Sequence, residues 1–208
     1  MGDKTILALC ATINSTYSLV YTCTTTYQGA ENKYVAMRKL LLNALKAFSE
    51  RNKGFPEEIF IFQNTCTGDQ INLYNEHFVK ELKQNIRETS PTTQIAITLV
   101  MINVKTNERF FFDNNGRASN VPAGTLVCQG LVSPNYDFFL MSQNSNKGTT
   151  VPNHYKVIYC DSKVEEGILQ EIAFSQCFNY VNWCGSIKVP GILQYAKKAS
   201  KFAAEVLG

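Results

Sequence analysis

The sequence is poor in metal ligands. It holds two histidines, His77 and His154, and its seven cysteines (10, 23, 66, 128, 160, 177 and 184) are so scattered that no Cys-x-x-Cys pair occurs. A structural zinc site needs clustered thiolate and imidazole ligands, so no metal and no other cofactor is expected. The odd, widely spaced cysteines are expected to be reduced and buried. Cys66 has no histidine or acid at a recognisable spacing, which argues against a thiol nucleophile. Long apolar runs are missing too: nothing approaches the roughly eighteen residues that cross a bilayer. The opening MGDKTILALCATIN has neither the basic flank nor the cleavage site of a signal peptide. These absences lead to the expectation of a soluble intracellular domain, in cytoplasm or nucleus, with no membrane partner. Nor does one sign of charge prevail. Lys and Arg number 20 against 17 Asp and Glu, a formal charge of +3, so whatever draws a polyanion must be local. With 45% hydrophobic and 18% charged residues the composition is globular, and 208 residues can bury a sizeable core as one domain.

What is present is an alternation of strands and helices. Thr5–Ile13 (TILALCATI) is apolar and rich in strand formers, and Tyr17–Tyr27 alternates. With Asn14-Ser15 as the turn, the two should form a hairpin. Val35–Phe48 has helical spacing, with Val35, Leu41, Leu42, Leu45 and Phe48 on one side and Arg38, Lys39 and Lys46 opposite. Lys53-Gly54 ends that helix. Glu58–Phe62 (EIFIF) is predicted as a strand buried on both faces, followed by a loop, Asn64–Asp69, at its C-terminal end, where α/β folds build sites. Leu73–Arg87 is predicted as a helix closed by Ser90-Pro91, and Gln94–Val104 as a strand. The aromatic run Arg109–Phe112 precedes an expected loop, Asp113–Asn120. Strands are expected at Leu126–Leu131, Tyr136–Ser142 and Tyr155–Cys160, the last two around a polar, mobile stretch, Gln143–Thr150. Helices at Glu165–Phe178 and Leu193–Val206 close the chain. The fold class is therefore α/β with a mixed sheet.

The densest chemistry lies in Phe174–Lys198, FSQCFNYVNWCGSIKVPGILQYAKK. Tyr180 and Trp183 lead into a Cys184-Gly185 turn and then Lys188. Pro190 stands where a helix can start without losing a hydrogen bond. That helix displays Tyr195, Lys197, Lys198 and Lys201 within two turns. Lysines neutralise phosphates and aromatic groups hold sugar and base, so the pattern suits nucleic acid. A solvated lysine face on an ordinary amphipathic helix fits the composition equally.

The wording of this run resembles the C-terminal part of the PIWI domain of Argonaute and Piwi proteins, where a YNW-P-G-basic-V-P segment precedes QYAHK. The stretch VPAGTLVCQGLVSPNYDFFLMSQNSNKGTTVPNHYKVIY is similar to the family's PPGT…V…YDFFL.SQ…GT..P.HY.V.Y run, in the right order over nearly ninety residues. The resemblance implies a ribonuclease-H-like fold, a mixed sheet flanked by helices. The family's first strand, which carries an aspartate, normally precedes the equivalent of Thr5–Ile13. The expectation is a fold lacking that strand, its edge covered by another chain or a rearranged N-terminus. A protein chain supplying the N-terminal and MID portion is an expected partner on the same ground.

The resemblance also allows the family's metal-binding positions to be compared. Its second catalytic aspartate follows a strand in a Y-R-D-G pattern, and this chain reads Phe62-Gln63-Asn64-Thr65. Its glutamate aligns with Asn32, Glu31 being one residue away. The histidine or aspartate of QYAH is Lys197. A two-metal phosphodiesterase needs hard anionic oxygens to hold two Mg²⁺ ions about 3.5–4 Å apart. Amides and an ammonium do not supply them, so cleavage is expected to be lost and no catalytic residue or metal is assigned.

For binding, the resemblance implies contacts to the first phosphates of a guide strand from Tyr180, Asn182, Lys188 and Tyr195, with Gln194 nearby and Lys188 foremost; Lys197 and Lys198 add cations for a phosphate on the same helix. Lys147 and Thr149, in the loop Gln143–Thr150, resemble a family loop near the bound strand. Tyr180 reads equally as core packing, and His154 as a structural residue before a strand. The function expected is an inactive PIWI-type domain binding RNA, guide or guide–target duplex, through its backbone in gene silencing. The alternatives are a protein-docking remnant without nucleic-acid binding and an active Mg²⁺-dependent nuclease.

Overall fold

The computed structural model describes residues 4–64, 74–128, 137–145 and 147–207. It divides into two compact units, one of Met1–Ile59, Thr67–Thr98 and Ile192–Gly208, the other of Phe60–Cys66 and Leu99–Gly191.

In the first unit, β1 (Thr5–Thr12) and β2 (Val20–Tyr27) form an antiparallel hairpin in which Thr5 faces Tyr27 and Thr12 faces Val20. The connection is organised by Asn14, whose amide donates to the hydroxyls of Thr16 and Ser18 at 2.7 and 2.9 Å and accepts the Leu19 N–H at 3.0 Å. Helix α1 (Ala30–Asn52) is longer than the predicted Val35–Phe48 and packs on both strands. Its buried side comprises Tyr34, Ala36, Leu40, Leu41, Ala44 and Leu45, whereas Val35 is exposed, contrary to the helical-face assignment. Small Ala36 and Ala44 carry part of the buried face, and a stripe drawn from large apolar residues misses them. The helix ends with Lys53, not Gly54, in the left-handed conformation at φ 57°.

The predicted helix Leu73–Arg87 is described from Tyr74. It opens as a π-helical turn, Tyr74–Val79, and continues as α2 (Lys80–Thr89), stopped at Ser90-Pro91 because the residue before a proline is pushed to extended backbone. Tyr74 is fully buried, edge-on to Tyr34 with centroids 5.0 Å apart. Arg38 of α1, expected on a solvated face, is mostly buried: its guanidinium meets Glu81 at 2.5 Å and donates to the carbonyl of His77.

The second unit is built on the larger sheet, whose strand order is β3-β4-β9-β8-β7. Its members are β3 (Glu58–Asn64), β4 (Ala96–Asn103), β7 (Leu126–Val127), β8 (Phe138–Leu140) and β9 (Asn153–Cys160). Strand β4 lies between β3 and β9 and is almost wholly buried, as its run AITLVMIN dictates. Strand β3, predicted to be buried on both faces, is half-buried at every position before Asn64, because it ends the sheet order. Strands β7, β8 and β9 are antiparallel, with Phe138 opposite Tyr155 and their rings stacked at 4.8 Å. Asp113–Asn120, expected as loop, is instead a hairpin of β5 (Phe111–Asn114) and β6 (Arg117–Asn120). Its Asn115-Gly116 turn has both φ angles positive, 53° and 78°, the twist that matches paired strands.

Helix α3 (Glu166–Ser175) runs into a 3₁₀ turn, Gln176–Phe178, and α4 (Gly191–Leu207) ends the chain. The predicted strand Leu126–Leu131 is described only at 126–127, and the loop predicted after Asn64 lies outside the described residues, Cys66 included.

Replacing Arg38 with Met removes an ion pair and a charged hydrogen bond from a poorly solvated position. Chemical denaturation should register a loss of about 1–2 kcal/mol; an unchanged midpoint would contradict the role given to this residue.

Candidate nucleic-acid interface

Lys188 lies in the short segment between the Cys184-Gly185 turn and α4. Two buried side chains aim at its carbonyl: Ser142, just after β8, donates from Oγ at 2.7 Å, and Asn153, the first residue of β9, donates from Nδ2. Both are almost fully buried. The Lys188 ammonium donates to the carbonyl of Val104, beyond the end of β4, at 3.0 Å. This lysine, expected to be an exposed turn residue, is therefore half-buried and held at both its backbone and its tip.

Beneath it lies a buried polar cluster. The Tyr155 hydroxyl lies beside the Cys177 thiol and the Asn153 amide. Burial pushes the Cys177 thiol up to about 12, while its hydrogen bonds with Tyr155 and Ser142 act in the opposite direction. Burial likewise raises Tyr155, with Cys177 adding to the effect. Both groups keep their protons; the Cys177 thiol donates to the Ala173 carbonyl at 3.3 Å.

The segment on either side is fixed by backbone contacts. The Ile187 N–H donates to the Cys177 carbonyl at 2.8 Å and the Trp183 N–H to that of Tyr180 at 3.2 Å. At Gly191, the start of α4, a Cβ would stand 2.4 Å from the carbonyl oxygen of Asn179, so only glycine allows this approach.

The loop after β8 forms the facing wall. Asn144 accepts the Ala123 N–H at 2.8 Å, and Asn120 donates to the Gly148 carbonyl at 2.8 Å while accepting the Thr150 N–H at 3.1 Å. The loop expected to be mobile is thus tied at both ends. Lys147 and Thr149 are exposed on it, and Thr149 lines a hollow of about 200 Å³ together with Lys188.

Among the other predicted contacts, Tyr180 is buried, in keeping with core packing, and its hydroxyl accepts from exposed Asn182 at 3.4 Å. Gln194, Tyr195 and Lys197 are half-buried and Lys198 is exposed on the first two turns of α4, in the first unit. His154 fits the structural reading: its Nε2 is 3.4 Å from Asp137 and its ring stacks on Phe139 at 4.5 Å.

Of the positions compared with a metal site, Asn32 is exposed and donates to the Gln28 carbonyl at 2.7 Å; Asn64 ends β3. The Glu31 side chain lies outside the described residues. Among those described, no group of three His, Cys, Asp or Glu side chains is gathered as a cation cage. Nor does the donor set suit Mg²⁺, since an amide brings an uncharged oxygen and Lys197 brings a positive charge. The cysteines depart from expectation, because Cys128, Cys160 and Cys184 are exposed; the six described are all free.

The family model for the Piwi domain matches residues 1–207. The chain belongs to the Piwi domain family. It is 27% identical to Piwi-like protein Siwi of Bombyx mori over 206 residues, which cover 99% of this chain and 23% of that protein. To protein argonaute-3 of Drosophila melanogaster it is 29% identical over 196 residues, 94% of this chain and 22% of that one. The Piwi domain thus spans less than a quarter of these relatives' length. Among solved structures it superposes on the C-terminal lobe of a budding yeast Argonaute with a TM-score of 0.80 at 22% identity, covering 96% of this chain and 46% of that one. Against Kluyveromyces polysporus Argonaute with a guide RNA the TM-score is 0.79 at 22% identity, over 96% and 28%. The likeness establishes the fold expected from the sequence, the ribonuclease-H-like α/β architecture. No helix among the described residues is long and apolar enough to cross a membrane.

Ser142 and Asn153 were not legible as site residues. Both fall inside the stretches that resemble the family, but no sequence rule aims two side chains at a carbonyl 46 and 35 residues away.

Two outcomes test this Piwi domain's interior. With a thiolate-selective alkylating agent at pH 8, Cys128, Cys160 and Cys184 should react while Cys177 stays unmodified until the chain is denatured; early labelling of Cys177 would be inconsistent with its burial. Gly191→Ala should cost about 1–3 kcal/mol by thermal or chemical unfolding, since backbone must move to admit the methyl group.

Proposed function

We propose that this Piwi domain holds RNA by its sugar–phosphate backbone at the Lys188 turn and does not cleave it. The observation that carries the reading is the anchoring of Lys188, whose carbonyl and ammonium are both fixed by buried or main-chain partners. A lysine with a free stem would lose rotamer entropy on meeting a phosphate; one already placed loses less. Thr149 beside it adds a hydroxyl donor, and Lys147 a further cation near the same wall. By the resemblance, Gln194, Tyr195, Lys197 and Lys198 on α4 are further proposed contacts, as are Tyr180 and Asn182. The guide RNA named with the Kluyveromyces polysporus structure supports nucleic acid as the ligand class.

Loss of cleavage follows from electrostatics. Hydrolysis in the ribonuclease-H manner stabilises charge on the attacking and leaving oxygens with paired cations. Asn32, Asn64 and Lys197 offer no anionic oxygen with which to hold such cations. An ammonium at 197 would instead pair directly with a phosphate, at a fixed single charge and without activating water. The role that fits is retention of a guide or guide–target duplex in gene silencing.

Binding of a labelled RNA should weaken at least tenfold for the Lys188→Glu, Lys197→Glu double variant, with a shallower dependence of log affinity on log salt. No cleavage should appear with Mg²⁺ or Mn²⁺. Unchanged affinity would refute the binding half, and metal-dependent cleavage abolished by these substitutions would refute the inactive half.

A further inference from the structure

The hollow that holds Lys188 and Thr149 adjoins a larger one, about 560 Å³, and the two share Gln143, Asn144 and Ser145 as a common wall. Their chemistry differs. The smaller is lined by Lys188, whereas none of the residues lining the larger is charged: Trp183, Gly185, Ser186 and Ile187 complete it. Its volume is that of a small-ligand site. Trp183 is 62% exposed, an unusual position for the largest aromatic side chain, and its neighbours explain why it stays in place. The turn is pinned by the Trp183 N–H to the Tyr180 carbonyl, and its exit by Ile187 to Cys177. A Cβ at Gly185 would lie 3.4 Å from the indole Nε1 and 3.7 Å from Cδ1, so the ring rests by its edge on the glycine backbone.

We infer that the larger hollow is a nucleobase site, in which a base adjacent to the phosphate at Lys188 stacks on the Trp183 indole. A neutral aromatic platform next to a cationic hollow repeats the alternation of base and phosphate along a single strand, and the polar side chains of Gln143 and Ser186 line the space a base edge would occupy. Every base has a π-face, so the site takes an unpaired nucleotide with little sequence preference. The inference rests on the backbone-binding reading of Lys188 and adds to it a preference for strand with unpaired bases over duplex.

Trp183 is the single tryptophan of the chain, so intrinsic indole emission reports on this site alone. Titration of the 208-residue chain with a ten-nucleotide single-stranded RNA, unlabelled for emission and end-labelled for anisotropy, should give quenching that saturates with the same midpoint as binding. Inorganic polyphosphate, which has the charge without the bases, should compete for binding without quenching. Trp183→Ala should weaken RNA binding about tenfold while leaving its salt slope unchanged, because a lost stack releases no counterions, whereas Lys188→Glu should flatten the slope. Trp183→Phe should restore most of the affinity and shows that the fold tolerates the position. RNA binding without quenching, or with Trp183→Ala at full affinity, overturns the nucleobase site and leaves the backbone reading standing. Equal weakening of polyphosphate by Trp183→Ala also overturns it, since the defect would then be structural. Absence of any RNA binding removes both.

Discussion

One carbonyl oxygen organises this site. The oxygen of Lys188 accepts hydrogen bonds from Ser142 and Asn153, two buried side chains at the end of β8 and the start of β9. These strands pair with each other, Leu140 opposite Asn153, so Asn153 sits in the ladder and Ser142 two residues beyond its end. A buried donor left without its acceptor costs about 1–3 kcal/mol, which ties the turn to the sheet more firmly than a surface contact would. The positions of the Trp183 ring and the Lys188 ammonium depend on that attachment, because they lie within eight residues of it along the chain.

The support beneath the turn is polar but uncharged. Cys177 and Tyr155 keep their protons because burial disfavours their anions, so neither adds a negative charge beneath the lysine. A thiolate there would oppose a phosphate. Asn32, Asn64 and Lys197, which the resemblance sets at acid positions, bring amides and an ammonium. The proposed function reads them as favouring a held polyanion over an activated divalent cation.

Much of the architecture was readable because periodicity and turn chemistry are local. The β1–β2 hairpin, the buried β4, the Ser90-Pro91 stop and the helix beginning after Pro190 all lie where alternation, apolar content and proline geometry put them. The β5–β6 hairpin was overlooked although Asn115-Gly116 is a strong two-residue turn signal, because four-residue exposed strands have no apolar alternation to mark them. The half-burial of β3 was missed for a different reason. Its run EIFIF is as apolar as a central strand's, and its place at the end of the sheet order is a matter of topology.

By itself, the amino-acid sequence determined the family, the fold class and the residue types at the compared acid positions, since these depend on the order of side chains and on short-range backbone preferences. Only the tertiary structure decided that Lys188 is anchored rather than solvated, that Cys177 is sealed while Cys184 is open, and that Trp183 stands at the edge of a neutral hollow. Those outcomes depend on burial and on pairs dozens of residues apart, which chain closure over the sheet creates and no local pattern encodes.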